Sequence, residues 1–294
     1  MKNRINILIT GAEGQLGQSF IELKNKKFNV ISFSKKKLDI TKYNDCKNKI
    51  NQHNPKYIIN CAAYTDVKKA EVFKKKAKLI NSTGPFHLAK LCFQYNIILI
   101  HISTDFVFDG KKNKPYLETD KCIPLSIYGK TKLEGEKNIT NTMKKFYIIR
   151  VSWLYGLGSN NFVSKVLSNG FKNKSIKIVD NEFGIPTFTY DLVNCIYKII
   201  NKTENKKTVI FGIYNFSGFG QRISRYQFAK KIFDISKIYG YKVPHIEKIY
   251  NKTDIRPKYS KLNINKIIEN FSIKKINWKI SLKTMLKIYF KNQL

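Results

Sequence analysis

The apolar run IleLeuIleThr (7–10) leads directly into GlyAlaGluGlyGlnLeuGly (11–17) and then into an amphipathic stretch, and this passage constrains the chain more than any other. Three glycines between a strand and a helix each have a task. Gly11 permits the tight turn, Gly14 lets the backbone come close to a pyrophosphate, and Gly17 lets the helix pack tightly on the strand. The helix N-terminus then faces the anion with its free N–H groups. Gln15 and Leu16 lie in the same turn and are assigned to the dinucleotide with the glycines.

The rest of the first half continues the alternation. Strands are predicted at 5–10, 29–33, 57–61, 97–103 and 146–151, with helices at 16–25, 42–52, 78–95 and 127–144 between them. Strands alternating with helical patterns imply βαβ units around a parallel sheet. The expected fold class is α/β, a doubly wound, Rossmann-like parallel sheet with a smaller α/β C-terminal substrate lobe. The ligand crevice of such a sheet lies beyond the carboxyl ends of its strands. From Trp153 the pattern breaks into shorter pieces, with helices near 161–171, 190–201, 224–239 and 281–291 and strands near 176–179 and 209–215. Residues 1–152 are expected to form the dinucleotide-binding domain. Residues 153–294 are expected to form mainly a substrate-binding lobe, part of it returning to the sheet.

A net charge of +35 invites a nucleic-acid reading, but the lysines are spread over the whole chain beside abundant Asn and Ile. A nucleic-acid footprint concentrates on one face or helix, so no specific nucleic-acid partner is expected. The cysteines at 46, 61, 92, 122 and 195 form no CxxC pair, and the histidines at 53, 87, 101 and 245 never sit at i, i+4 with a carboxylate. Neither a disulfide framework nor a metal is expected. Apolar runs are far shorter than the ~18 residues of a membrane span, and no signal-peptide pattern opens the sequence. A cytoplasmic protein without a membrane partner is the expectation.

Tyr128 and Lys132 stand at i, i+4, which puts both side chains on one helix face. The same spacing recurs at Tyr43/Lys47, Tyr64/Lys68 and Tyr226/Lys230, so context must separate the pairs. Tyr128 opens a helix about one βα unit after SerThrAsp (103–105), which ends an apolar strand, so both groups reach the same carboxyl edge of the sheet. Reducing a carbonyl needs a hydride at carbon and a proton at oxygen, and a phenol can polarise and then protonate that oxygen. Tyr128 is therefore the candidate proton donor. Lys132 is the candidate source of positive charge near the phenol and a ligand for the ribose hydroxyls, and Thr104 supplies a second hydrogen bond to the carbonyl.

The residues after the second strand bear on cofactor choice, because an acid there typically holds the ribose 2′-hydroxyl of NAD. Here Ser34, Lys35, Lys36 and Lys37 follow the strand. No carboxylate repels a 2′-phosphate, Ser34 offers a hydrogen bond and Lys35 a charge. NADPH is the expected cofactor, with NADH usable.

Taken together these segments resemble the extended short-chain dehydrogenase/reductase superfamily and, within it, the dTDP-4-dehydrorhamnose reductase family. The likeness runs through residues 11–17, LeuAspIle (38–40), AsnCysAlaAlaTyrThr (60–65), SerThrAspPheValPheAspGly (103–110), TyrGlyLysThrLysLeuGluGlyGlu (128–136), ArgValSerTrpLeuTyrGly (150–156), AspAsnGluPheGlyIleProThr (180–187) and ArgProLysTyrSerLysLeu (256–262). The resemblance implies that Thr104, Tyr128 and Lys132 are the catalytic set. It implies that Asp39, Ile40, Ala63, Tyr64, Thr65 and Ile102 line the cofactor, and that Thr104, Asp105 and Trp153 contact a nucleotide-sugar substrate. The implied reaction is reduction of the C4 keto group of dTDP-4-dehydro-L-rhamnose or a close nucleotide-linked sugar, by a monomer or homodimer. Gln15 and Asn292 stand near the places where some members carry magnesium-binding acids, so a metal-bridged dimer is not expected. A dehydratase on this scaffold commonly has Glu where this chain has Phe106. A regulatory subunit like the beta subunit of methionine adenosyltransferase shares the scaffold without catalysis, and the intact Thr104, Tyr128 and Lys132 favour the enzyme.

Overall fold

The computed structural model describes residues 4–158, 160–205, 210–253 and 255–292. Its first half comprises β1 (Ile5–Thr10), α1 (Gln15–Glu22), β2 (Phe28–Phe33), α2 (Tyr43–His53), β3 (Tyr57–Asn60), α3 (Val67–Val72), α4 (Lys74–Lys78), α5 (Gly84–Gln94), β4 (Ile98–Thr104), α6 (Ile127–Thr142) and β5 (Phe146–Val151). The second half comprises β6 (Leu154–Tyr155), α7 (Phe162–Lys172), β7 (Ser175–Val179), β8 (Phe183–Gly184), β9 (Thr187–Phe188), α8 (Thr189–Asn205), β10 (Gly212–Phe216), β11 (Ile223–Ser224), α9 (Arg225–Ser236), β12 (His245–Ile249), α10 (Asn265–Phe271) and α11 (Trp278–Lys291).

Six strands form one sheet in the order β10-β5-β4-β3-β1-β2, and every neighbouring pair is parallel. The expected α/β doubly wound sheet is therefore present. Its central strands are apolar along most of their length because helices cover both faces. Ile7, Ile9, Ile59, Ile100 and Ile149 point to the side of α1 and α8. Leu8, Ile58, Leu99 and Ile148 point to the side of α2, α5 and α6. Each fully buried side chain of this size contributes roughly 1.5–3 kcal/mol, so a strand register slip that exchanged the two faces would forfeit much of the core. The strand order reverses between β1 and β3, which opens a crevice at their carboxyl ends.

The chain returns to this sheet through β10, which pairs with β5 from Gly212↔Tyr147 to Phe216↔Val151. The strand expected at 209–215 thus begins at Gly212, and Val209 lies outside the described residues. A separate core gathers α7, α9 and α11 around Phe228, Phe233, Trp278 and Leu286. The sequence reading missed β12, which pairs in parallel with β7, and α10.

The single helix expected at 78–95 is broken differently. Helical structure starts at Val67, and residues Leu79–Thr83 form a π turn in which Gly84 N–H bonds Leu79 O, five residues back. Pro85 supplies the reason: it has no N–H for the carbonyl of Asn81, four residues back, so the regular ladder cannot continue there. The Asn81 side chain points instead to the loop after β3, accepting from Tyr64 N at 2.8 Å and donating to Tyr64 O at 3.0 Å.

Candidate active site

The loops at the carboxyl edge of the sheet border two adjoining spaces. A smaller one of about 180 Å³ runs between Gly11, Gly14, Lys35, Asp39, Ile40, Ala62 and Ala63. A larger cleft of about 680 Å³ continues from it and is lined by Gly14, Gln15, Leu16, Ala63, Thr65, Ile102, Thr104, Asp105, Tyr128, Lys132 and Trp153, among others. Most of the residues expected at the site therefore meet in one continuous crevice. Gly17, Ser34 and Tyr64 do not line it. Gly17 packs α1 against Ala12 and the Gly11 carbonyl, and Tyr64 is held through its backbone by Asn81.

The glycine turn fits a dinucleotide. Gly11 has φ +68, and a Cβ there would stand 2.6 Å from Ala62 N, so only glycine lets the loops after β1 and β3 approach this closely. Helix α1 follows Gly14, which offers no capping side chain, and has no acid in its first turn. Its first N–H groups thus lack partners within the helix and face the crevice as anion donors. Asp39 sits at the far end. Burial raises its carboxyl, but hydrogen bonds from Thr41 N–H and hydroxyl and the charge of Lys35 outweigh this and hold it below the usual range. Lys35 is exposed on the same rim.

Tyr128 enters from the first turn of α6, whose start is fixed by Ser126 accepting from Gly129 N. The Phe106 ring meets its ring edge to face at 5.4 Å. Burial pushes the phenol up to about 12, with the Thr104 hydroxyl pulling down and the Asp105 charge pushing up. The expected influence of Lys132 on the phenol is not among these effects. Lys132 is 1% exposed and turned inward, donating to Ile102 O at 2.7 Å and lying 3.0 Å from Nε2 of His101. Burial lowers its ammonium to about 8, against the pull of Glu136. A phenol of this kind stays protonated through the neutral range, which suits a group that must give a proton to a ketone oxygen.

Thr104 ends β4 at 4% exposure. Its hydroxyl donates to Asp105 Oδ1 at 3.1 Å and accepts from Phe106 N, so it must turn to serve a ketone. Asp105 is 2% exposed and its Oδ2 makes no hydrogen bond. Burial pushes its carboxyl up to about 6, against the nearby Ser260 and Thr104 hydroxyls and the Arg225 charge. An orphaned buried acceptor of this kind calls for a donor from a ligand.

The opposite wall comes from the second half of the chain. Trp153 follows β5 with φ +46, a left-handed conformation that a bulky residue adopts only where its surroundings enforce it. Its indole lies where a Cβ on Gly184 would come within 2.5 Å. The Arg225 guanidinium covers a ring face at 3.5 Å, so Trp153 borders the cleft while one flat surface is already occupied. Arg225 and Arg256 both line the cleft and share one carboxylate, Glu182, at 3.8 and 4.0 Å. Burial lowers the Arg225 pKa to about 10, with Glu182 pulling it up and Arg256 pushing it down. Besides Glu182, the Asp105 carboxyl in the same cleft also acts on Arg225. Sequence reasoning gave neither arginine a role. Arg256 opens the segment ArgProLysTyrSerLysLeu, which was a signal, whereas Arg225 had none.

A family model described as RmlD substrate binding domain matches residues 5–290. The chain is 36% identical over 287 residues to the dTDP-4-dehydrorhamnose reductase of Aggregatibacter actinomycetemcomitans, covering 95% of this chain and 97% of that one. It is 34% identical to the spore coat polysaccharide biosynthesis protein SpsK of Bacillus subtilis, covering 96% of each. Among solved structures, the dTDP-4-dehydrorhamnose reductase of Bacillus anthracis in complex with NADP superposes with a TM-score of 0.90 at 33% identity, over 98% of this chain and 99% of that one. A UDP-glucose 4-epimerase of Thermus thermophilus, at 15% identity and TM-score 0.84, over 99% of this chain and 100% of that one, shows the same fold.

Proposed function

Since this chain belongs to the dTDP-4-dehydrorhamnose reductase family, we propose that it uses NADPH to reduce the C4 keto group of a nucleotide-linked 4-keto-6-deoxy sugar, converting dTDP-4-dehydro-L-rhamnose to dTDP-L-rhamnose. The observation that carries this reading is the meeting of Thr104, Tyr128 and Lys132 on one wall of a cleft that runs on past the glycine turn. The dinucleotide, when bound, supplies the hydride.

Every other part falls to the chain itself. The first N–H groups of α1 hold the pyrophosphate of the dinucleotide, and Gln15, Ala63, Thr65 and Ile102 border it. Lys35 reads the 2′-phosphate, while Asp39 and Ile40 take the adenine side. The Tyr128 hydroxyl donates its proton to the sugar oxygen, and Thr104 turns from Asp105 to hydrogen-bond the same atom. Lys132 holds the ribose hydroxyls and supplies positive charge for the phenolate left on Tyr128. Arg225 and Arg256 clamp the diphosphate of the sugar nucleotide, because planar guanidiniums match phosphate oxygens two at a time. Asp105 takes a hydroxyl of the sugar on its unpartnered oxygen. Residues 1–152 serve as the dinucleotide-binding domain and 153–294 mainly as the substrate lobe. The enzyme acts in the cytoplasm, as a monomer or homodimer without a membrane or nucleic-acid partner; among the described residues no helix is long and apolar enough to cross a membrane.

The test is to mix the protein with NADPH and dTDP-4-dehydro-L-rhamnose and follow loss of NADPH absorbance and the sugar product. Sugar-dependent oxidation that Arg256→Ala weakens mainly through KM supports the reading. NADPH that stays intact with each of a panel of 4-keto sugar nucleotides overturns it.

A further inference from the structure

Behind Lys132 lies a buried polar chain that the reaction as described does not use. Thr10, Asn60 and His101 sit on β1, β3 and β4, side by side in the sheet, and are 0–1% exposed. Thr10 Oγ1 donates to Asn60 Oδ1 at 2.7 Å, and Ala62 N–H donates to the same oxygen at 3.2 Å. Asn60 Nδ2 lies 3.0 Å from His101 Nδ1, and His101 Nε2 lies 3.0 Å from Lys132 Nζ. Such a closed chain can be counted proton by proton.

With Asn60 Oδ1 taken by Ala62 N–H, Nδ2 must donate to His101 Nδ1. A neutral imidazole then carries its proton on Nε2 and points it at Lys132, which has to accept it as an uncharged amine. When Lys132 is an ammonium, its N–H points at Nε2, and the imidazole proton must move to Nδ1. Nδ1–H then needs an acceptor, so the Asn60 amide turns over and offers Oδ1. Asn60 Nδ2 then donates to Thr10 Oγ1, whose own O–H gives up the Asn60 oxygen, and Ala62 N–H is left with the same Thr10 Oγ1, which already stands 3.4 Å from it. Burial and the neighbouring Lys132 charge lower the His101 pKa, so a doubly protonated ring does not escape the choice.

We propose that His101 is a tautomer switch that ties the proton on Lys132 to the amide orientation of Asn60, and through it to the backbone of Ala62 at the edge of the cofactor crevice. His101 is thus a positioning residue. It touches neither ligand, and it makes the charge that Lys132 presents to the ribose depend on how the loop after β3 is bonded. The groups facing Lys132 are His101 from β4, the Cys61 thiol from the loop after β3, and Glu136 from its own helix. Cys61 is held as a thiol by burial, with the Lys132 charge pulling the other way. Glu136 is committed to Arg150. Lys132, lowered to about 8, is the group whose titration the imidazole follows in the neutral range. This inference rests on the proposed role of Lys132, but its main test does not need activity.

The experiment is a pH titration of the ring ¹⁵N signals of the intact, ligand-free protein labelled at histidine. Four histidines are present, and His101 is assigned by the loss of its signals in His101→Gln or, if that variant does not fold, by elimination with variants at 53, 87 and 245. Above the Lys132 transition the His101 proton should reside on Nε2, below it on Nδ1, with the ring neutral throughout. In Lys132→Met the exchange should vanish. One tautomer across the whole range, or an exchange that survives Lys132→Met, overturns the proposal. A kinetic arm adds a readout that mere packing would not move. His101→Gln, able to offer Lys132 an amide oxygen, should shift the alkaline limb of kcat up by ~1 pH unit, and a limb that stays in place counts against the coupling. If no reduction is detected at all, the proposed function fails while the ¹⁵N result still decides the switch.

Discussion

Two inward-facing residues one turn apart on α6 are treated in opposite ways. Glu136 is answered completely: Arg150 reaches it from β5 through Nε at 3.0 Å and Nη2 at 2.7 Å, Ser103 donates to it as well, and the two side chains are 3% and 2% exposed. Lys132 forms no ion pair among the described residues and meets only an imidazole and a carbonyl oxygen. Burying a charge is costly unless it is paired and hydrogen-bonded. A matched buried pair ties elements together, as Glu136 and Arg150 tie α6 to β5. A buried cation left without a carboxylate has its ionisation moved towards neutrality, where it can serve chemistry.

That contrast gives the largest expected effect. Glu136→Gln leaves the Arg150 charge uncompensated in the interior and should lower unfolding free energy by about 3–5 kcal/mol. Lys132→Met should cost less, about 1–2 kcal/mol, because it removes a desolvated amine and leaves no charge behind, only the imidazole nitrogen and the carbonyl oxygen that the amine bonded. Urea titration of both variants breaks the comparison if they lose the same stability.

Asp105 sharpens it from the acidic side. Its pKa in the folded protein, about 6, lies above the ordinary 3.8. A raised acid holds its proton more tightly when folded, so it weakens the fold as pH rises past 3.8, and the full penalty is present above about 6. Asp105→Asn should therefore stabilise the protein at pH 8 by on the order of 3 kcal/mol at most, and by little at pH 4, while lowering activity. A melting-temperature difference that does not grow with pH would remove Asp105 from the set of strained site residues.

The smallest effect is on cofactor choice. Lys35 is exposed and already acts on Asp39, so its pull on a 2′-phosphate is that of a surface pair, ~1 kcal/mol or about fivefold. NADPH should be favoured over NADH by that factor at low salt and by less at high salt. Equal efficiency at low salt would show that Lys35 does not read the phosphate.

How much of this was legible in the sequence follows the same division. The glycine turn is a local event, so residues 7–17 specify it without help. Tyr128 and Lys132 were legible because helix spacing and the position of SerThrAsp fix where they emerge. The turn of Lys132 towards His101 depends on a contact between distant segments, which no spacing encodes. His101 itself lies inside an apolar strand and carries no mark of its partners. Arg225 was hidden because no motif surrounds it in a chain crowded with lysine, and β12 by its short, mostly exposed run. The π turn had a sign in GlyPro at 84–85, but its effect on Asn81 appears only once the ladder is followed four residues back.

The most direct test of the proposed reaction removes one oxygen atom. Tyr128→Phe keeps the ring and its packing on Phe106 while taking away the proton donor, whose contribution is ~10²–10⁴ in rate. With dTDP-4-dehydro-L-rhamnose and NADPH, turnover should fall by at least ~100-fold while the Kd for NADPH stays that of the unsubstituted protein. Turnover close to normal would contradict the assignment of Tyr128 as the acid.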